Sequence, residues 1–334
     1  MSTNRNLNKA KAAKNDEFYT DIRDVQAELA GYRHLFKGKS VLCNCNDGPG
    51  GAFYRYAAAY FTEWKAAKVT TTTFVPGGHG VKYELTGDTN GDGYIDNLDY
   101  EETPLEGNGD FRSPECVELL KQADIVIGNP PFSLFREYVD QLMEHGKEFV
   151  IIGNINALTY KNVFGYIQAG RLWTGKHANK SLEFRVPASY PLTGSSTRRD
   201  DQGNGFVRVP GICWFTNLPV PKLLEPIELW RKYTPEMYPR YDNYNAINVS
   251  RLRDIPVDYP GVMGVPITYL TAHCPAQFEI IGVDESSGKG LSRGLWRKTS
   301  GVAQPMVKGN RLYSRVFIRH LNPEPAQTQN YNAL

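Results

Sequence analysis

The hydrophobic and polar positions along the chain predict strands that alternate with helices. From Phe18 onward, apolar side chains recur at spacings of three and four residues, which places them on one face of a helix: Ile22, Val25, Leu29 and Tyr32. The short apolar run "KGKSVLCNC" then predicts a buried strand, and "GGAFYRYAAAYFTEW" predicts a helix. The run "KVTTTTFV" is rich in β-branched residues and predicts a second strand.

The alternation continues after a turn-rich insertion. "QADIVIG" predicts a third buried strand, "SLFREYVDQLMEHG" an amphipathic helix that ends at Gly146, and "KEFVIIGNI" a fourth strand. Strands that alternate with helices pair in parallel, so the predicted fold class is α/β with a doubly wound, mostly parallel sheet. Further along, "SLEFRVP" and "GICWFTNL" flank a polar loop and predict a hairpin at one sheet edge.

The character of the chain changes beyond Pro219. Prolines become frequent, and tyrosine and asparagine cluster in "YPRYDNYNAINVSR". A chain of 334 residues is also longer than one typical domain. We therefore predict one domain over residues 1–220 and a second region over residues 221–334.

Composition narrows the class of protein. The chain is 41% hydrophobic and 22% charged, which is typical of a folded protein. It has no apolar run long enough to span a bilayer and no secretory signal, so we expect a cytoplasmic protein with no membrane partner. The five cysteines are scattered without a C-x-x-C pair, so we expect reduced, mostly buried thiols and no structural metal site.

Two basic stretches contain no acidic residue, although the net charge is only +2. For residues 1–15, a solvated tail and a phosphate contact remain equally open. In residues 286–320, apolar residues interleave with the charges, which favours an ordered element that binds phosphate. The candidate DNA-binding residues in this second stretch are Lys298, Arg311, Arg315 and Arg319.

The most informative motif is Asn129-Pro130-Pro131-Phe132, between a predicted strand and a predicted helix. In an open α/β sheet, ligands bind at the carboxyl ends of strands. The amine of a nucleobase is a poor nucleophile, but two acceptors, the Asn129 side chain and the Pro130 carbonyl, would turn its lone pair toward an electrophile. Phe132 would stack on a flipped base. An isolated Pro-Pro pair would merely end a strand and start a helix.

Several segments together resemble the EcoRI-type adenine-specific DNA methyltransferases, in the order found in that family. The resemblance runs from about Leu7 to about His320 and implies S-adenosylmethionine as methyl donor, adenine in duplex DNA as target, base flipping and a carboxyl-terminal target-recognition region. The segments that carry it are "AKNDEFYTD", "VLCNCND", "GNGDFRSPE", "DIVIGNPPFSLFREYVDQL", "YDNYNAINV" and "GVMGVPITYL".

Position by position, the resemblance implies a Rossmann-like cofactor domain with defined site residues. An amino-terminal element closes over the methionine part of the cofactor, a loop after the first strand holds the cofactor, and an Asp-Phe pair contacts its adenine. The alternative for Asp110 is a plain turn residue. The alternative for Phe18 is a residue of the hydrophobic core. The implied residues are Asn129, Pro130, Pro131 and Phe132 for catalysis, and Phe18, Tyr19, Thr20, Cys45, Asn46, Asp47, Asp110 and Phe111 for the cofactor.

The chain departs from the wider methyltransferase pattern in its first loop, which offers Gly48, Gly50 and Gly51 in place of a G-x-G run, with Cys43 where an acidic residue is usual. No acidic residue follows "KVTTTTFV" to bind the ribose, so the ribose contact is unassigned, with Asp47 as a candidate.

The segment from Asp88 to Asp99 has oxygen ligands at several places of a calcium loop, with glycine at the sixth. Its flanks look extended rather than helical, and aspartate stands at the twelfth place where glutamate is usual. Since a tight hairpin tip needs the same residues, calcium binding and a plain turn both remain open.

We therefore predict a site-specific enzyme, expected to be monomeric, that transfers a methyl group from S-adenosylmethionine to the N6 amine of adenine in duplex DNA, without a metal. Two alternatives stay open: the same chemistry on an RNA adenine or a protein glutamine, and a non-catalytic DNA-binding protein of this fold.

Overall fold

A computed structural model describes residues 19–45, 48–178, 180–188, 190–298 and 301–325. The chain forms two compact units, one of residues 1–157 and 172–218 and the other of residues 158–171 and 219–334. The division predicted near residue 220 assigned residues 158–171 to the first domain, whereas in the structure this segment packs with the second unit.

The first unit contains one large sheet of ten strands within the described residues. Its spatial order is β4-β3-β2-β1-β5-β6-β10-β7, and β8 and β9 also pair with β10. The strands are β1 (Ser40–Cys43), β2 (Lys68–Thr72), β3 (Val81–Leu85), β4 (Glu101–Pro104), β5 (Ile125–Gly128), β6 (Glu148–Asn154), β7 (Trp173–Thr174), β8 (Lys180–Val186), β9 (Thr197–Arg199) and β10 (Gly205–Thr216).

The middle of this sheet is parallel and both edges are antiparallel. Strands β2, β1, β5 and β6 pair in parallel and are the four strands predicted from the apolar runs. This confirms a mixed α/β fold. The predicted hairpin is confirmed only in part. Strand β8 pairs antiparallel with β10, but mainly with residues 205–209, which were predicted as loop, whereas residues 212–216 pair with β6. The sheet is less parallel than predicted, because the turn-rich insertion forms the antiparallel pair β3 and β4, and because β10 reverses direction against β6.

The helices of the first unit begin with the capping side chains that their sequences offer. The Asp21 carboxylate accepts from Arg23 N at 2.8 Å, and the Ser113 hydroxyl accepts from Cys116 N at 3.3 Å, so each satisfies a free N–H of the first turn. The helices are α1 (Ile22–Leu29), α2 (Ala52–Ala59), α3 (Phe61–Trp64), α4 (Pro114–Gln122) and α5 (Phe135–Glu144).

The strand order reverses between β1 and β5. From β1 the chain continues to the neighbour β2, whereas from β5 it continues to β6 on the other side. At such a point the two connections diverge and leave a crevice at the carboxyl ends of the strands. The residues that follow β1 and β5 therefore lie where a ligand would bind.

The connection between β3 and β4 contains the segment that resembles a calcium loop. Its carboxylates accept from the backbone of the loop itself: Asp88 from Gly91 N at 2.6 Å and Gly93 N at 2.9 Å, and the buried Asp99 from Thr89 N at 2.9 Å. In the described part of the chain, no group of three or more acidic, histidine or cysteine side chains is arranged to hold a metal ion.

The second unit is built on a smaller sheet with a separate hairpin. The sheet has the order β11-β12-β16-β13, and its core includes Tyr241, Tyr244, Ala246 and Phe317. Helix α6 packs against β13. The elements are α6 (Lys161–Gln168), β11 (Ile247–Asn248), β12 (Met263–Pro266), β13 (Phe278–Val283), the hairpin strands β14 (Met306–Val307) and β15 (Asn310–Arg311), and β16 (Arg315–His320).

The composition also predicted the state of the cysteines and the absence of a membrane span. All five cysteines are free, and all except Cys45 are buried, which confirms the prediction of reduced, mostly buried thiols. Within the described ranges, no helix combines the length and apolarity needed to cross a bilayer.

Candidate active site

The Asn-Pro-Pro-Phe motif lies at the point where the strand order reverses. Asn129 directly follows Gly128, the last residue of β5. A Cβ atom on Gly128 would lie 3.2 Å from the carbonyl oxygen of Asn44, which follows β1. The glycine thus allows the ends of β1 and β5 to approach closely, and the motif sits beside the loop that the resemblance assigns to the cofactor.

The motif forms a short, stiff turn at the edge of the crevice. Pro131 has φ −54° and precedes a 3₁₀ helix over Phe132–Leu134. Its carbonyl accepts from Leu134 N at 2.9 Å. Pro130 is buried, whereas Asn129, Pro131 and Phe132 are half-buried, so the motif is not covered by the neighbouring helices.

Thr20 and Asn129, which are 109 positions apart, meet in the structure: Asn129 Nδ2 donates to Thr20 Oγ1 at 3.3 Å. The residues on both sides of Thr20 are anchored. Tyr19 exchanges two backbone hydrogen bonds with Arg185 of β8, at 2.9 and 3.1 Å, and Asp21 caps α1. Residues 19–21 are therefore held against the motif.

A cleft of about 1080 Å³ has Thr20 in its wall, whereas none of the four motif residues lines it. Its volume is slightly larger than that of typical small-molecule pockets, which reach about 1000 Å³. Arginines line it together with acidic residues, and two of them form ion pairs, Arg198 with Glu183 at 2.5 Å and Arg23 with Asp21 at 2.7 Å. Gly50 and Gly51, the turn before α2, also line the cleft.

The loop after β1 has an unusual backbone. Cys45 is half-buried and has φ 88°, in the left-handed region that a residue with a Cβ seldom adopts. Strained residues of this kind concentrate at functional sites. Gly48 has φ 49°, and its carbonyl accepts from Gly51 N at 3.1 Å, which closes the turn into α2. Three predicted cofactor residues, Phe18, Asn46 and Asp47, lie outside the described residues.

Two buried polar atoms lie at the ends of β1 and β2, and the sequence reasoning missed both. The Asn44 side chain is 2% exposed; its Oδ1 accepts from the Tyr138 hydroxyl of α5, while its Nδ2 has no hydrogen-bond partner in the described chain. Complete burial raises the pKa of Tyr138 well above its ordinary value, so its hydroxyl stays protonated and donates. The Thr72 hydroxyl is likewise buried without a partner among the described residues.

The register of the sheet brings these two side chains to adjacent positions. Cys43 of β1 is paired with Thr71 of β2, so the next step along both strands places Asn44 beside Thr72. The signal in the sequence was the alternation within the threonine run, which separates Thr71 from Thr72 by face. The Thr71 hydroxyl donates to the Cys43 carbonyl at 2.8 Å and is satisfied.

Asp110 and Phe111 lie in a loop that is tied to α5. Arg112 donates three hydrogen bonds to the Asp110 carboxylate, at 2.7 to 2.9 Å, and this interaction lowers the pKa of Asp110 below its usual range. Arg112 also contacts Glu137 of α5 at 3.0 Å. Phe111 is 5% exposed and packs edge-on against Tyr138, with ring centroids 5.0 Å apart. The predicted contact of this pair with a bound adenine ring stays a prediction.

The structure places the four predicted DNA-binding residues of the second unit in different environments. Lys298 and Arg311 are exposed. Arg319 is exposed but forms an ion pair with Glu279 at 2.6 Å. Arg315 is only 8% exposed, and its Nη1 donates to the carbonyl of Tyr313 at 3.0 Å. Its predicted contact with phosphate stays a prediction.

Comparison with known proteins gives the family. The model of the family "Adenine-specific methyltransferase EcoRI" matches residues 6–321. The chain is 43% identical over 301 residues to the Type II methyltransferase M.EcoRI of Escherichia coli, an alignment that covers 85% of this chain and 92% of that protein. The chain belongs to this family.

Two further relatives agree with this result. The Type II methyltransferase M.MpnI of Mycoplasma pneumoniae is 38% identical over 322 residues, which are 94% of this chain and 97% of that protein. M.MgeORF184P of Mycoplasma genitalium is 35% identical over 320 residues, 94% of this chain and 98% of that protein. No solved structure matches the chain significantly. The family predicted from the sequence motifs is confirmed.

Proposed function

We propose that this protein is a site-specific DNA methyltransferase that methylates the N6 amine of adenine, with S-adenosylmethionine as donor and the target base flipped out of duplex DNA. Membership of the adenine-specific family supports the chemistry. The observation that carries the assignment of the site is the half-buried Asn129 at the carboxyl end of β5, which donates a hydrogen bond to Thr20 in the wall of the cleft.

The motif supplies the two acceptors that this reaction needs. Because Asn129 Nδ2 donates to Thr20, the Oδ1 atom on the other side of the amide group would be the acceptor for the target amine. The Pro131 carbonyl is already engaged by Leu134, so the second acceptor is the Pro130 carbonyl. Phe132, half-buried beside them, would stack on the flipped base.

The residues at the ends of β1 and β2 fit a polar cofactor. A buried amide and a buried hydroxyl without partners are costly, by about 1–3 kcal/mol each, unless a ligand satisfies them. Asn44 offers a donor, and Thr72 offers a donor and an acceptor, so both would hold S-adenosylmethionine through its polar groups. The strained Cys45 and the Gly48 turn shape the same loop. When bound, this cofactor supplies an electrophilic methyl group on a sulfonium.

Catalysis then depends mainly on position, since the sulfonium makes methyl transfer favourable and no strong general base is required. We propose that the second unit binds the duplex and recognises the target sequence, with Lys298 and Arg311 as exposed cations. An enzyme that acts on chromosomal DNA would work in the cytoplasm.

The test compares Asn129→Ala with wild type, using cofactor carrying a tritiated methyl group and duplex DNA, RNA and protein as acceptors. We expect label in DNA alone, and a loss of turnover on the order of 100-fold in the variant, the size seen when one oriented polar group is removed from a reacting centre. Affinities for cofactor and DNA should change little. Asn322→Ala, an exposed asparagine of the second unit, is the matched control.

Normal turnover by Asn129→Ala would refute the role of this residue. Label in RNA or protein but not in DNA would refute the substrate, and absence of label in every acceptor would favour a non-catalytic protein.

A further inference from the structure

A short hairpin in the second unit presents polar side chains on a rigid support. Strands β14 and β15 pair antiparallel, with Met306 opposite Arg311 and Val307 opposite Asn310. Lys308 and Gly309 form the two-residue turn and have φ 50° and 76°. Two residues with positive φ are the mark of the type I′ turn, whose twist matches that of the strands. We call residues 306–311 the recognition hairpin.

An isolated hairpin of this size would be marginally stable. Hydrogen bonds with Asp242 and Asn243 stabilise this one. The Asp242 carboxylate accepts from Lys308 N at 3.2 Å and from Gly309 N at 2.8 Å, so it fixes the turn. Asp242 N donates to Met306 O at 2.8 Å, and Asn243 Oδ1 accepts from Met306 N at 2.9 Å. The tyrosine- and asparagine-rich segment around residue 242 thus supports the hairpin, a structural role that its composition alone did not reveal.

Asn243 is completely buried and also holds the loop that precedes the hairpin. Its Nδ2 donates to Val302 O at 2.8 Å and to Gln304 O at 2.7 Å. Val307 and Leu312 pack against the core of the second unit. The Val307 face of the recognition hairpin is therefore packed against the core.

The remaining side chains of the hairpin are polar, cationic and exposed. By the register, Asn310 lies on the same face as Val307, and Arg311 lies with Met306 on the opposite face. Lys308, Asn310 and Arg311 are exposed, and Tyr313, which follows the hairpin, is 86% exposed. In the part of the chain that the structure describes, neither Lys308 nor Arg311 forms an ion pair, in contrast to Arg319. Asn310 Nδ2 makes one long bond, 3.3 Å, to Lys308 O.

We propose that the recognition hairpin enters the major groove of the target DNA and that Arg311, on the face opposite Val307, reads a base edge. This inference rests on the proposed function, because it assumes that duplex DNA is the substrate. A two-stranded ribbon fits the major groove, about 12 Å wide. The planar guanidinium of Arg311 matches the two acceptors of guanine. Lys308, at the turn, contacts phosphate.

The experiment determines which adenines are methylated in a pool of duplexes with a randomised segment. Wild type, Arg311→Ala, Arg311→Lys and Asn310→Ala are compared, with Arg251→Ala as the matched control, because Arg251 is another exposed arginine of the second unit. Wild type first defines the recognised sequence. We expect Arg311→Ala to lose discrimination at one base pair by about 5- to 150-fold, the range for one bidentate contact.

Arg311→Lys should lose much of the same discrimination, because a lysine cannot replace the planar fork. Arg251→Ala should keep the wild-type sequence preference. Since the substituted side chains are exposed, each variant should also keep the wild-type thermal unfolding midpoint and the wild-type affinity for S-adenosylhomocysteine, and both are measured.

Asn310→Ala, on the opposite face, should keep the wild-type sequence preference. Two results would overturn the proposal: an unchanged sequence preference in Arg311→Ala, or uniformly weaker methylation of all sequences by that variant, which would make the hairpin a phosphate contact only. If wild type methylates no duplex in the pool, the proposed function fails instead, so the two failures are distinguishable.

Discussion

Thr20→Val tests whether the amino-terminal segment positions the catalytic amide. The change replaces a hydroxyl by a methyl group of nearly the same shape, so it removes the acceptor of Asn129 Nδ2 while the backbone bonds of Tyr19 and the cap at Asp21 remain. Without that acceptor, the Asn129 amide is free to turn and to present its NH₂ group to the target amine. Two donors would then face each other, and methyl transfer would slow.

The expected magnitude follows from the contact. A neutral hydrogen bond contributes about 0.5–1.5 kcal/mol. The donor–acceptor distance of 3.3 Å is at the long end of the normal range, so the lower half of that interval applies. A loss of about 0.5–1 kcal/mol corresponds to a two- to five-fold lower rate. Thr20→Ser keeps the acceptor and should restore most of the rate.

The assay is a single-turnover measurement with enzyme, cofactor and duplex mixed in excess of their dissociation constants, so that only the transfer step is observed. Calorimetric titration with S-adenosylhomocysteine measures cofactor affinity separately. Thr62→Val, at an exposed threonine of α3, controls for the substitution itself. Wild-type transfer by Thr20→Val, or equal impairment of the valine and serine variants, would refute the reasoning. A loss confined to cofactor affinity would assign Thr20 to the cofactor alone.

Three further changes test other parts of the structure. Gly109→Ala should lower the free energy of unfolding by roughly 3 kcal/mol, because φ is +81° and the new Cβ would lie 2.0 Å from Thr73 O; an unchanged thermal midpoint would contradict this. Tyr138→Phe should weaken S-adenosylhomocysteine binding several-fold, since Asn44 loses the donor that orients it, and equal affinity in titration would argue against that role. Burial lowers the pKa of His273 to about 4, so the unfolded state binds more protons below about pH 6.5. Stability should therefore be fully present above pH 6.5 and fall toward about pH 4, and urea unfolding of His273→Gln should show a shallower fall; an identical pH slope would exclude this histidine as its source.

The periodic patterns predicted the part of the fold that depends on burial. Strands β1, β2, β5 and β6 are short runs of apolar or β-branched residues between turns, and such runs are recognisable without knowledge of their partners. The antiparallel edges were harder to predict. Strand β7 has two residues and β9 has three, which is too short for a periodicity to be read.

The candidate site was predictable in its loop but not in its long-range contacts. The position of Asn129 followed from the strand before it, whereas its contact with Thr20 depends on how the first residues of α1 meet the sheet. Glu28 shows the same limit: its carboxylate is fully buried because it accepts from Tyr32, Lys176 N and His177 N, the last two nearly 150 positions away. No local pattern contains that information.

Helix α6 has a consequence for how this protein can be divided. It lies in sequence between β6 and β7 of the first unit, yet it belongs to the second, where Gln168 Nε2 donates to the carbonyls of Ile280 and Ile281 at 3.2 and 2.7 Å. A fragment that starts at residue 219 would leave the β13 surface bare and those carbonyls without their donor. Expressing the carboxyl-terminal half alone should therefore yield an aggregation-prone polypeptide unless the helix is supplied as a peptide or grafted onto its amino terminus.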